Sequence, residues 1–157
     1  MPKPCTGANL ADLERRIGLL EDAEAIRNLI ARYGPLADCG DAEGVAALWS
    51  ETGAYDVGGF GVAKGRRAIA ALIAGDMHRA LMAQGCAQVL SPHRVDVDGD
   101  QAVATGYSTV FRKTGDGYEA WRVSANRWEL SRQPDGNWLV DLRVNRPVDG
   151  SPLELLR

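Results

Sequence analysis

The chain is poor in the residues that build metal centres and disulfide frameworks, with two histidines and three cysteines in 157 residues. Cys5, Cys39 and Cys86 lie far apart, are odd in number and form no CxxC pair, which argues against a zinc site and against a disulfide scaffold. A reducing cytoplasm is the expected compartment. No apolar run approaches the ~18 residues of a membrane span, and the start, MPKPCTGANLADLERR, lacks the apolar centre of an export signal. Basic excess is missing too: a net charge of -3 and a pI near 5.4 give no field matched to a phosphate backbone, so neither nucleic acid nor membrane is expected as a partner. No pair among His, Cys, Asp and Glu has metal-ligand spacing, and no nucleophile elbow occurs. Gly58-Gly59-Phe60-Gly61 is not a phosphate loop, because no Gly-Lys-Ser/Thr triplet follows it.

What is present is a 45% hydrophobic chain of a length that suits one domain with a sizeable core. The expected organisation is a disordered N-terminus over 1–8, a single domain over 9–147 and a tail over 148–157. Ile26, Leu29, Ile30, Tyr33 and Leu36 recur at three- and four-residue steps, which marks one buried helical face. Helix is expected over 9–33, divided near Gly18 and bent at Pro35, which lacks the amide donor. Asp38 stands where this helix should end, followed by Gly40 as a C-terminal residue and Asp41 as the N-cap of a second short helix. On a straight helix Tyr33 and Asp38 point about 140° apart, so only a bent last turn lets both reach one pocket.

A turn over 50–53 and a short strand over 54–57 precede a helix from Lys64-Gly65 to about Ala83. The period then changes to two. Strands are expected over 87–97, 102–113, 118–132 and 138–146, separated by the turn signals Asp98-Gly99-Asp100, Thr114-Gly115-Asp116-Gly117 and Pro134-Asp135-Gly136. Helices followed by a strand meander predict an α+β domain: N-terminal helices packed on one face of a cone-shaped, curved antiparallel sheet, with a small-molecule pocket at its mouth.

The order Tyr33-x4-Asp38-x2-Asp41, the turn and strand from Trp49 to Asp56, the Val97-Asp98-Gly99-Asp100 hairpin and the final Asp135-Gly136-x-Trp138 hairpin together resemble the SnoaL-like branch of the nuclear transport factor 2-like superfamily. That branch has the cystatin-like roll and includes scytalone dehydratase-like enzymes. The resemblance implies a cofactor-independent lyase or isomerase acting on a small hydrophobic cyclic or aromatic metabolite, assembled as a homodimer or homotrimer, with no cofactor and no metal. It also implies that Asp38 is the general base and that Tyr33 lines its pocket. The family histidine that partners this acid would fall at Gln88, and an amide can orient a substrate without exchanging a proton near neutral pH. A noncatalytic ligand-binding protein of the same fold is the alternative.

Other candidates follow from the pattern. His78, in the helix expected over the cavity mouth, and His93, just past Gln88, are the imidazoles able to replace the missing one. Tyr55, Trp49, Tyr107 and Trp121 are candidate lining residues, although strand and helix spacing also suits ordinary core. Arg143 and Asn145 share one face of the last strand, beside Asn126 and Arg127 on the preceding one. Such a group either binds a carboxylate or phenolate or forms a solvated cross-strand charge ladder, and the ladder is the simpler expectation.

Overall fold

The computed structural model describes residues 9–151 and 153–157, so the expectation of disorder over 1–8 lies outside the described residues. The first helix, α1 (Leu10–Asp38), runs without interruption through Gly18 and Pro35. Pro35 removes one intrahelical donor, but the turn beyond it is held from outside: Ala37 is fully buried and Asp38 is bonded to a strand. Gly40 then takes φ 71°, and Asp41 accepts from the Gly44 amide at 2.8 Å to open α2 (Ala42–Ala46), as the cap signals predict.

Next come β1 (Trp49–Val57), β2 (Gly61–Lys64), α3 (Arg66–Ala74) and α4 (Asp76–Gln84). The turn expected over 50–53 is instead an irregular stretch of β1, and the single helix expected after Lys64 is broken at Gly75. The meander comprises β3 (Cys86–Leu90), β4 (Arg94–Asp98), β5 (Gln101–Thr114), β6 (Gly117–Arg132) and β7 (Trp138–Pro147). The strand expected over 87–97 is thus two strands, divided at Ser91-Pro92-His93, and both pair with successive halves of β5.

These seven strands form one curved, unclosed sheet in the order β2-β1-β7-β6-β5-β3, with β4 beside β5. Pairing is antiparallel except between β1 and β7, which are parallel. The helices cover one face. Ile26, Leu29, Ile30 and Tyr33 of α1 meet Trp49, Trp128, Leu130 and Val140 in one continuous core, where each buried aliphatic side chain contributes roughly 1.5–3 kcal/mol. A bidentate bond from Arg132 to Asp22, joined by the Trp138 indole N–H, pins α1 to the β6–β7 end. None of the described helices is long and apolar enough to cross a membrane.

Candidate functional site

The core does not fill the whole concave face. Between the sheet and α3–α4 lies a cavity of about 360 Å³. Phe60, Leu72, Met77, Leu81, Val110 and Trp121 give it largely apolar walls, and its floor is polar. That polarity comes from a break in β7. Trp138 and Val140 face the core, and unbroken alternation would also turn Leu142 and Val144 inward. A bulge at Asp141 shifts the register: Leu130 pairs with Val140 but Glu129 pairs with Leu142. Beyond it Arg143 and Asn145 face in. β1 is irregular at the same level, and Ser50 there donates to Asp141 at 2.7 Å.

The solvated charge ladder therefore does not form. Arg143 is only 2% exposed. Its Nε and Nη2 donate to Asn126 Oδ1 at 3.1 and 2.8 Å, while Nη1 has no partner among the described residues. The guanidinium lies 4.2 Å from the Tyr33 and Trp128 ring centres and 4.5 Å from that of Tyr55. Such stacking offsets part of the cost of burying a charge, and typical contacts contribute about 0.5–2 kcal/mol each. Arg127, expected to join this group, instead pairs with Glu129 away from the cavity.

A second cation, Arg122, also lines the cavity. It donates to the Gly58 carbonyl at 2.7 Å and to Asn145 Oδ1 at 2.9 Å, beneath the Phe60 ring. Burial holds its pKa below the ordinary arginine value. Ser124 Oγ, buried and without a partner among the described residues, adds another unused polar atom to the lining. Among the described residues, the one carboxylate that lines the cavity is Asp76, which is exposed and ion-paired with Arg79. Burial also pushes the Tyr55 phenol well above its ordinary pKa, so it remains a neutral donor. The arrangement suits an anion, or an oxygen on which negative charge develops.

Asp38 stands beside this cavity rather than in its lining. Both of its oxygens accept from the Gln88 amide, at 3.1 and 2.9 Å, and the Cys86 thiol donates to Oδ1 at 3.7 Å. Burial raises its pKa above the ordinary value, and these bonds, with nearby His78, pull it back. Its own burial, with the same carboxylate beside it, pushes the Cys86 thiol up to about 11. Tyr33 and Asp38 point apart, as a straight helix dictates, so only Tyr33 reaches the cavity. The Gln88 residue does line it.

The two histidines separate. His78 on α4 lines the cavity, and its Nε2 lies 2.7 Å from the carbonyl oxygen of Ala37. Nε2 must be the protonated nitrogen there, since a carbonyl only accepts, and this leaves the Nδ1 lone pair free in the neutral ring. His93 lies instead in the core. Its Nδ1–H donates to Ser91 O at 2.7 Å, and Nε2 accepts from the Trp128 indole at 3.2 Å. Burial, opposed by the Ser91 bond, lowers its pKa, and it is a structural residue.

Of the aromatic candidates, Tyr55 and Trp121 line the cavity. Trp49 does not: it is fully buried, stacked on Tyr55 at 5.7 Å, with its indole bonded to Ala54 O. Tyr107 is exposed and does not line it either. Trp121 gains access through a second bulge, where Val110 pairs with Arg122 but Phe111 pairs with Ala120. This irregularity brings the adjacent residues Trp121 and Arg122 to one cavity. Arg122, Ser124 and Phe60 were not anticipated, although Ser124 and Arg122 follow the parity of Trp128.

A family described as SnoaL-like domain matches residues 19–144. No curated protein matches the chain. Among solved structures, an NTF2-like protein with a cystatin-like fold from Novosphingobium aromaticivorans is 54% identical, covering 96% of this chain and 99% of that one, with a TM-score of 0.91. A function-unknown protein from Mycobacterium tuberculosis is 27% identical over 85% and 82% of the two chains, with a TM-score of 0.73. A protein from Catenulispora acidiphila, in complex with S-DNPA, shares the fold at 21% identity, covering 79% and 91%, with a TM-score of 0.68.

Proposed function

The chain belongs to the SnoaL-like domain family of the nuclear transport factor 2-like superfamily, and we propose that it is a cofactor-independent lyase or isomerase acting on a small hydrophobic cyclic or aromatic metabolite. The observation that carries this reading is Arg143: a buried guanidinium at the floor of a largely apolar cavity, with one nitrogen unpartnered and, among the described residues, no ion pair to a carboxylate. A substrate carbonyl or phenolic oxygen placed there completes its bonding. The volume and the apolar walls suit a compact ring system.

Proton abstraction falls to a different group. Asp38, the expected base, does not line the cavity, and it acts through His78, which does. His78 is oriented by Ala37 and receives the proton on Nδ1. As the C–H bond breaks, its electron pair forms the carbon–carbon double bond of an enolate, and charge collects on the oxygen at Arg143 and Tyr55. The enolate then either expels a leaving group from the adjacent carbon, with the imidazolium returning its proton to that group, or is reprotonated at another carbon. The first outcome is elimination and the second is a double-bond shift.

The test is consumption of enolisable cyclic ketones and phenolic compounds, followed by mass spectrometry, by the wild type, Asp38→Asn and His78→Gln. Turnover by the wild type that falls at least about a hundredfold in His78→Gln, as loss of a general base typically costs 10²–10⁴-fold, and falls by a smaller factor in Asp38→Asn supports the proposal. The second reading, a noncatalytic ligand-binding protein, is favoured by the engagement of both Asp38 oxygens with one backbone amide. Binding without consumption by any of the three proteins would select it.

A further inference from the structure

The cavity holds a second cation that the proposed chemistry leaves unused. Arg122, half-buried, makes both of its hydrogen bonds through Nη2, to Gly58 O and Asn145 Oδ1. Its Nε and Nη1 have no partner among the described residues, and no carboxylate there pairs with it or with Arg143. Two side-chain amides fix its place relative to Arg143. Asn145 accepts from Arg122 through Oδ1 and donates through Nδ2 to Asn126 Oδ1 at 3.1 Å, the same oxygen that takes both bonds from Arg143. The two guanidiniums are near enough to repel: burial, and after it the charge of Arg143, hold the Arg122 pKa down.

Two neighbouring cations in a largely apolar cavity call for more negative charge than one enolate oxygen supplies. The lining does not provide it: Asp76 is paired with Arg79 at the surface, and the Tyr55 phenol stays neutral. The depths of the two arginines assign the charges. A fixed carboxylate loses most hydration at a fully buried site, so it is held at lower cost by the half-buried Arg122. Arg143, only 2% exposed, instead suits an oxygen that becomes charged as the reaction proceeds. Phe60 stacks over Arg122 at 5.2 Å and screens this position from part of the solvent. We infer that the substrate is a cyclic or aromatic carboxylic acid, its carboxylate held by Arg122 while a separate carbonyl or phenolic oxygen lies at Arg143. This rests on the reading of Arg143 as the oxygen anchor and names the substrate class of that site. One guanidinium matches one negative charge, so a carboxylate fits Arg122 better than a phosphate, which carries about −1.5 to −2.

Calorimetric titration of the full chain at neutral pH tests this, with the isomeric hydroxybenzoic acids and their methyl carboxylate esters, which keep the phenol. For at least one isomer the wild type is expected to prefer the acid by about tenfold or more, equivalent to ~1.4 kcal/mol. That preference should vanish in Arg122→Met and survive in Arg143→Met, where the affinity for acid and ester falls together. Thermal melting is the folding control. Arg122→Gln, which keeps an amide donor for Gly58 and Asn145, gives the same reading if Arg122→Met unfolds. Equal affinity of the wild type for every acid and its ester overturns the proposal and leaves Arg143 as the oxygen anchor. An acid preference that survives the Arg122 substitutions and is lost in Arg143→Met overturns it too. A wild type that binds none of these ligands overturns the proposal together with that reading of Arg143.

Discussion

Gly34 of α1 approaches the main chain of Gln88 so closely that a Cβ there would lie 2.2 Å from the Gln88 carbonyl oxygen. One turn later on the same helical face, Asp38 accepts from the Gln88 amide. Gln88 is thus clasped at both ends of its peptide by one helix, and this contact sets the distance between α1 and the cavity wall.

Gly34→Ala is therefore expected to be among the most disruptive small substitutions in the chain. The opposing atom is backbone and cannot rotate away, so helix and strand must separate, at a cost of about 3 kcal/mol or more. Thermal unfolding should show a midpoint lower by roughly 6–12 °C. A change under about 2 °C would mean that the helix shifts freely at this point.

His93 gives acid sensitivity. Its folded pKa is lowered from 6.5 by burial, so below that value the unfolded chain takes up a proton that the folded chain refuses, and stability is lost as pH falls toward the lowered pKa. The facing groups are the Ser91 carbonyl and the Trp128 indole, with Arg143 adding positive charge nearby. The unfolding midpoint of the wild type should fall more steeply between about pH 7 and pH 5 than that of His93→Gln. Parallel slopes for the two proteins would contradict the assignment.

Asp38 has the opposite sign. Its folded pKa is raised above 3.8, chiefly by burial, so its contribution is full below the ordinary carboxylate value and is lost as pH rises through the raised one. The stability of Asp38→Asn relative to the wild type should improve as pH rises from about 4 to 7, in denaturation series at fixed ionic strength. A constant difference would indicate that the carboxylate is not desolvated.

Much of this architecture follows from local pattern. The stripe from Ile26 to Leu36, the cap at Asp41 and the three turns of the meander each depend on residues a few positions apart, and each forms where its signal lies. Other features depend on distant contacts. The expected strand over 87–97 breaks because His93 turns under Trp128 and against Gly106, whose Cβ would come within 3.0 Å of the imidazole. The inward face of Arg143 is concealed by an apolar alternation, Trp138, Val140, Leu142 and Val144, that reads as one clean strand face until the bulge at Asp141 reverses it. Bulges opposite one another on neighbouring strands leave no local mark, and this one places the most informative charge of the site.

Recognition of a substrate oxygen rests on that charge. Arg143→Met retains much of the side-chain volume and removes a buried cation that has no counter-ion among the described residues, so the variant should unfold within a few degrees of the wild type. Its Asn126 acceptor keeps the Asn145 amide as a partner.

The direct measurement is calorimetric titration of wild type and Arg143→Met with matched pairs of aromatic ligands, each phenol set against its methyl ether. The wild type is expected to prefer the ionisable member at least about tenfold, a difference of ~1.4 kcal/mol, and the preference is expected to disappear in Arg143→Met. Equal affinity for both members in the wild type, or a preference that survives the substitution, would contradict the assignment of Arg143 as the anchor for substrate oxygen.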